Sequence, residues 1–225
     1  MTVHIYSLKR DGDKQLSKNF KVREFACTGY DEVKIDTGLV ITLQQIRDYF
    51  GKPVNITSAY RPPEYNKKIK TASKTSKHML GRAADIQIAG VDPIAIAMYA
   101  QFLNARGIGL YTYAGGGFVH IDTRAKDEDR SIYRGLYTNR AQTQYLSCGN
   151  KFFPALKKGS SGYAVLLLQR ILNKSGFDCG KEDNSFGSKV DTAVRSFQRA
   201  AKLQIDGSVG TQTWKALLKY ANLWY

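Results

Sequence analysis

The run Ser76-Lys77-His78-Met79-Leu80-Gly81-Arg82-Ala83-Ala84-Asp85-Ile86-Gln87-Ile88 decides how the first part of this chain is read. From Ala84 to Ile88 apolar residues alternate with Asp85 and Gln87, and a strand of that period puts both polar side chains on one face. His78, ahead of Gly81, reaches in from the preceding loop. A second run, Phe118-Val119-His120-Ile121-Asp122, alternates in the same way. It predicts a strand with His120 and Asp122 together and with Val119 and Ile121 facing the core. Laid side by side, the two strands present a carboxylate and an imidazole to a shared point. A catalytic zinc takes three protein ligands from His and Asp/Glu and keeps a fourth position for water. His78, Asp85 and His120 meet that count, and of the three histidines only His4 is left over. The competing reading of each residue taken singly is a hydrogen-bonded core side chain.

The 225 residues have room for one large domain or two small ones. A hydrophobic fraction of 43% and an aromatic fraction of 12% are globular values, so disorder does not account for the net charge of +15. That charge implies attraction to a polyanion: nucleic acid, an anionic membrane, or a wall carrying phosphate and carboxylate polymers. The basic residues are scattered rather than gathered in one arm or recognition helix, which argues against sequence-specific DNA reading. Cys27, Cys148 and Cys179 are odd in number and contain no Cys-x-x-Cys pair, which argues against a zinc finger or disulfide framework. Free buried thiols are expected, with a Cys148–Cys179 bridge as the alternative. The N-terminus has no apolar core of signal-peptide length, and no apolar run is long enough to span a bilayer. The expectation is a protein made in the cytoplasm that needs help to reach anything outside the membrane.

The chain divides near Ser147–Lys157, a turn-rich junction containing Phe153-Pro154. The expected parts are residues 1–146, a linker 147–153, and residues 154–225. The second part repeats a glycine–serine turn followed by an amphipathic helix with Val-x-x-x-Gln: Val165 to Gln169, then Val194 to Gln198. Val190, Val194, Phe197 and Ala201 recur at helical spacing, and a last helix begins near Thr211, giving a small three-helix unit. In the first part, Thr37 to Phe50 reads as a helix capped by Asp36, and Val54 to Ser58 as a strand. Asp92-Pro93 opens a helix running to about Arg106. Leu110–Tyr113 and Phe118–Thr123 read as strands joined by Ala114-Gly-Gly-Gly117. The irregular order of strands and helices predicts an α+β fold with an antiparallel sheet.

The second part resembles the peptidoglycan-binding-like domain of bacterial and phage wall hydrolases. The match rests on the Leu156-x-x-Gly159-Ser-x-Gly162-x-x-Val165-x-x-x-Gln169 run, Phe186-Gly187, Ala193-Val194-x-x-Phe197-Gln198 and Asp206-Gly-x-Val-Gly210-x-x-Thr213-Trp214. The first part resembles the zinc D-alanyl-D-alanine carboxypeptidases and their endopeptidase relatives, which share a fold with hedgehog signalling domains. Four segments carry this: Ser17-x-x-Phe20-x-x-x-Glu24-Phe25, Ser58-Ala-Tyr-Arg61-Pro-Pro-Glu-Tyr-Asn66, Ser76-x-His78-x-x-Gly81-x-Ala83-x-Asp85 and Phe118-Val-His120-Ile-Asp122. The resemblance implies that His78, Asp85 and His120 bind Zn2+ and that the substrate is a short wall peptide. It also implies that Arg61 lies near the reacting carbonyl or a substrate carboxylate. Ser76 is read as a substrate contact or a turn cap, and Tyr111 and Tyr113 as donors to substrate or packing residues. Relatives place an acidic residue or a His three positions before the second zinc-binding His, and here that position is Gly117. Asp122, on the same strand face as His120, is the substitute general base or else a group that orients the imidazole. Glu64 is a third candidate.

The expected function is a monomeric zinc peptidase that cuts an amide bond in peptidoglycan stem peptides or cross-links, brought to its substrate by its C-terminal module. The missing signal peptide and the charge fit a phage endolysin released by a holin, with a bacterial autolysin as the nearby variant. The rivals are a non-catalytic wall-binding protein with a degenerate zinc site, and a basic nucleic-acid-binding protein. The absence of nucleic-acid-binding signatures argues against the last.

Overall fold

In the computed structural model, residues 2–70, 72–103, 105–113, 116–124, 131–139, 142–147 and 153–220 are described; among them the side chains of 112, 113, 116, 131–139, 142–147, 218 and 219 are not. The chain divides into two units: residues 1–101 with 105–149, and residues 150–225 with 102–104.

The first unit opens with β1 (Val3–Ser7), a short helix α1 (Leu8–Asp11) and a 3₁₀ turn, Val22–Phe25. β2 (Glu32–Asp36) pairs antiparallel with β1, from Val3 opposite Asp36 to Ser7 opposite Glu32. Asp36 then ends the strand and starts the helix α2 (Thr37–Phe50). Its Oδ1 accepts from the Gly38 and Leu39 N–H groups at 2.6 and 3.2 Å, satisfying donors that a helix start leaves bare. Gly51 closes the helix in the left-handed region (φ 62°). Leu39, Leu43, Ile46 and Phe50, the stripe expected from periodicity, are all buried. Each such side chain contributes about 1.5–3 kcal/mol relative to exposure.

The main sheet holds six strands: β3 (Asn55–Ser58), β4 (Ala83–Gln87), β5 (Gly107–Tyr113), β6 (Gly116–Asp122), β7 (Ser131–Asn139) and β8 (Gln142–Ser147). Their spatial order is β3-β4-β6-β5-β7-β8. Between β3 and β4 come the helix α3 (Pro63–Lys68) and a second 3₁₀ turn, Lys77–Leu80; between β4 and β5 comes α4 (Pro93–Phe102). The Asp92 side chain accepts from the Ile94 N–H at 2.8 Å, as the Asp-Pro start predicts. The helix stops at Phe102 rather than near Arg106, because β5 starts at Gly107. The α+β class is as read from the sequence, with one difference inside the sheet. β5 and β7 pair in parallel, starting from Gly107 opposite Ser131. β6 ends at Asp122, also opposite Gly107, so β6 and β7 flank β5 and run in opposite directions. The turn at 114–115 lies outside the described residues.

The second unit is the expected set of three helices: α5 (Tyr163–Lys174), α6 (Ser188–Ala200) and α7 (Thr211–Tyr220). Val165, Leu168, Ile171, Leu172, Val190, Val194, Phe197 and Trp214 are buried between them. The repeat has a structural reason. Gln169, only 1% exposed, donates to Lys181 O, Asp183 Oδ1 and Ser185 O and accepts from the Asp183 and Asn184 N–H groups. Gln198 does the same for the turn before α7, donating to Asp206 Oδ1 and Ser208 O and accepting from the Gly207 N–H. Each buried amide thus satisfies the backbone of the loop that feeds a helix.

Cys27 and Cys179 are free and buried, and Cys148 lies outside the described residues. No helix among the described residues is long and apolar enough to cross a membrane.

Candidate metal centre

Asp85 and His120 face each other directly in the antiparallel β4–β6 ladder. Ala83 lies opposite Asp122 in the same ladder, so the period-two face of β4 meets that of β6. His78 comes from the 3₁₀ turn ahead of β4. Gly81 ends that turn at φ +67°, and a Cβ there would run into the Lys34 backbone, so only glycine lets the turn close against β2. His78 itself is 1% exposed.

The three side chains converge. His78 Nε2 lies 3.1 Å from His120 Nδ1 and 3.4 Å from Asp85 Oδ1, and His120 Nδ1 lies 2.8 Å from Asp85 Oδ1. The outer nitrogen of each imidazole decides what the inner one presents. His78 Nδ1 sits 2.6 Å from the Ala59 carbonyl oxygen, which can only accept, so the ring proton is on Nδ1 and Nε2 offers a lone pair. His120 Nε2 sits 3.3 Å from Asp122 Oδ2, which holds a proton on that outer nitrogen and leaves Nδ1 as the one turned to Asp85 and His78. Three such atoms this close together need positive charge among them, a metal ion or, without one, a proton on His120 Nδ1. Ligands at about 2.0–2.1 Å around a tetrahedral ion would be about 3.3 Å apart, close to the edges seen here. Among the described residues, His78, Asp85 and His120 form the group able to hold a metal.

The electrostatics point the same way. Burial works against a charged His120, but the Asp122 and Asp85 carboxylates outweigh it and push its pKa up to about 9. Burial also opposes ionisation of Asp85, yet His78 and His120 hold its carboxyl well below the usual range. His78 is pushed down by burial, which favours the neutral imidazole that a metal needs. The site therefore draws positive charge to itself, a proton when nothing better is present.

Asp122 is fully buried and held on two sides. Arg124 donates through Nε at 2.8 Å and through its backbone N at 3.1 Å to Oδ1, and through Nη2 to Oδ2. Burial raises the Asp122 pKa, but Arg124 and His120 more than reverse it. The carboxylate meets His120 on its outer nitrogen, the edge of the ring away from the three donors. Gly117, at the position where a base was expected, contributes its carbonyl oxygen to the Gln87 side-chain amide at 2.9 Å.

The other expected residues sit as follows. Arg61 follows β3, its backbone N–H bonded to the His78 carbonyl at 3.2 Å; its charge bears on His78, and its buried Nε has no hydrogen-bond partner among the described residues. Ser76 precedes the His78 turn, half-buried, and its hydroxyl caps nothing. Glu64 is exposed on α3. Tyr111 is buried and stacked on Phe118 at 4.3 Å between centroids, a packing role. Tyr113 lies on β5 opposite Gly116, with its side chain outside the described residues.

Sequence reasoning missed Ala59, Arg124 and Gly107. Ala59 acts through its carbonyl, which no side-chain pattern can announce. Gly107 pairs with Asp122 in the β5–β6 ladder, and a Cβ on it would collide with all three atoms of the Asp122 carboxyl group. Gly109 lies opposite His120. The signal was available: glycines at 107 and 109 fall on one face of β5, where alternation calls for side chains.

Residues 18–122 match the family described as Peptidase M15, and residues 161–217 match the family described as a putative peptidoglycan binding domain. The chain is similar to the peptidoglycan L,D-endopeptidase MepK of Escherichia coli (strain K12), 36% identical over 95 residues, covering 40% of this chain and 51% of that protein. It is also similar to the N-acetylmuramoyl-L-alanine amidase CwlL of Bacillus licheniformis, 41% identical over 64 residues, 28% of this chain and 18% of that one. Among solved structures, the SleB N-terminal domain is 36% identical, with 31% of this chain and 94% of that chain covered and a TM-score of 0.30. The chain thus spans about half the length of the curated endopeptidase it matches.

Proposed function

We propose, for a chain whose residues 18–122 belong to the Peptidase M15 family and whose residues 161–217 belong to the putative peptidoglycan binding domain family, that it is a zinc metallopeptidase of the bacterial cell wall. It hydrolyses an amide bond in peptidoglycan stem peptides or their cross-links. Residues 1–146 form the catalytic part and residues 154–225 the wall-binding part, joined through 147–153. The observation that carries this reading is the meeting of three atoms able to ligate a metal, His78 Nε2, His120 Nδ1 and Asp85 Oδ1, within 4.8 Å of one another.

Zinc held by these residues supplies Lewis acidity and lowers the pKa of a water toward 7. The remaining work falls to the chain. The Ala59 carbonyl and the Asp122 carboxylate keep both imidazoles in the tautomer that binds a metal. Asp122 is therefore a positioning residue rather than the general base, because its oxygens are engaged by Arg124 and by the outer edge of His120. Arg61 carries a fixed positive charge next to His78, and its unpartnered Nε is suited to a substrate carboxylate or to the oxygen that gains charge as the carbonyl is attacked. Ser76 offers a free hydroxyl on the same loop, and Tyr113 a strand position opposite Gly116, as substrate contacts.

The test uses purified peptidoglycan. New amino groups should appear on digestion, and mass spectrometry of the fragments names the bond. EDTA should stop their release and zinc restore it, while His78→Ala should release none yet still sediment with the wall. Hydrolysis that survives exhaustive chelation would refute the metal mechanism. A chain that sediments but never releases amino groups would be a binding protein alone.

A further inference from the structure

We infer that Lys67, Lys68, Lys70 and Lys74 form a docking surface on the catalytic unit for the phosphate-bearing anionic polymers of the bacterial wall. That the partner is a wall polymer rests on the function proposed above; the affinity for a polyanion does not.

Lys67 and Lys68 end α3, Lys70 and Lys74 follow it, and all four are exposed. All four fall between positions 67 and 74. Asn66, 5% exposed, donates through Nδ2 to the Ser73 carbonyl at 3.0 Å and so draws the two ends of this stretch together. Turns from the Ile69 N–H to Asn66 O, the Ala72 N–H to Ile69 O and the Ser76 N–H to Ser73 O fold the chain tightly in between. None of the four ammonium groups has a carboxylate partner among the described residues, whereas Lys21, Lys34, Arg23, Arg170 and Arg195 each have one. Four uncompensated like charges in a pinned loop repel one another, and at physiological salt that repulsion reaches about 8 Å. A polyanion lying along them removes the repulsion and releases its own counterions.

The chemistry of the patch selects among polyanions. Between Lys67 and Lys77 there is no arginine to fork onto a base edge, and the exposed aromatic beside the patch, Tyr65, meets Tyr30 edge-on at 6.2 Å between centroids. Within the stretch the apolar residues Ile69 and Ala72 are half-buried, so it presents no apolar face of the size an interfacial helix uses. Ammonium point charges suit a repeating phosphodiester that is held without being read. A polymer docked here would keep the hydrolase at the wall.

The experiment compares the zinc-loaded full chain with its Lys67→Gln/Lys68→Gln/Lys70→Gln/Lys74→Gln variant. Both are sedimented with Gram-positive wall, intact or stripped of phosphate polymers by hydrofluoric acid. At low salt the variant should bind intact wall about tenfold more weakly, and its slope of log K against log salt should be shallower by about 3. Both proteins should bind stripped wall equally, and the four-arginine variant should restore binding to intact wall. Zinc content and hydrolysis of a short soluble stem peptide should not change. Equal retention on intact wall would overturn the proposal, as would an equal loss on stripped wall or tighter lysine-dependent binding to duplex DNA or anionic vesicles. The His78→Ala chain separates the two readings: lysine-dependent binding by this inactive protein supports the docking surface even where the peptidase assignment fails.

Discussion

Replacing Gly107 with Ala tests how the metal centre is held without touching a metal ligand. The added methyl would sit inside the van der Waals envelope of the Asp122 carboxyl group. To regain ordinary separation, that group must retreat by about 1.5 Å. Asp122 is fully buried and bonded at once to Arg124 and to His120 Nε2, so the retreat must come out of one of these contacts. The His120 contact is already the longer, at 3.3 Å against 2.8 Å, and it is the one that should break. With it goes the restraint on the imidazole tautomer. Loss of such an outer partner lowers metal affinity by about 10- to 100-fold, or about 1.4–2.8 kcal/mol. Crowding of the strand should cost the metal-free fold a further 1–3 kcal/mol or so. Zinc competition against a chromophoric chelator reads the first quantity and thermal melting with and without zinc reads the second. Asp122→Ala adds a check, because the Gly107→Ala/Asp122→Ala pair should bind zinc no more weakly than Asp122→Ala alone. A Gly107→Ala protein that melts lower but keeps its zinc affinity within about twofold would refute the reasoning, since Asp122 would then not be what orients His120.

The pH dependence of zinc uptake follows from the raised pKa of His120, about 9 in the metal-free protein, because Nδ1 must lose its proton to bind. Zinc affinity should fall about tenfold per pH unit below that value, and calorimetry in buffers of different ionisation heat should count about one proton released at pH 7. The metal-free fold behaves oppositely: a raised pKa gives stability that is complete below about 6.5 and is lost as pH rises through 9. Zinc affinity that is flat between pH 6 and 8 would contradict this account. In the second unit, Gln169→Ala removes the partner of two backbone N–H groups and two carbonyls, and should cost about 2–4 kcal/mol in urea unfolding followed by tryptophan fluorescence. A loss below about 1 kcal/mol would mean that water replaces the amide.

What could be read from the sequence was what local geometry controls. The 3.6-residue stripe and the Asp36 cap marked α2 from Thr37 to Phe50, and alternation put Asp85 on one face of β4 and His120 with Asp122 on one face of β6. The strands β7 and β8 and the pairing of β1 with β2 went unread, because a short strand is stabilised by a neighbour that its own residues do not name. Tertiary structure alone decided the register that sets Asp85 across from His120, and the direction in which β7 runs beside β5. It also decided the chemistry. Whether an imidazole offers a lone pair or a proton depends on the atom behind it, and those atoms come from elsewhere: the Ala59 carbonyl for His78, and for His120 a carboxylate that Arg124 grips and Gly107 leaves room for. Periodicity is a property of consecutive backbone angles, whereas a proton's position is set by contacts through space, and only the folded chain brings those together.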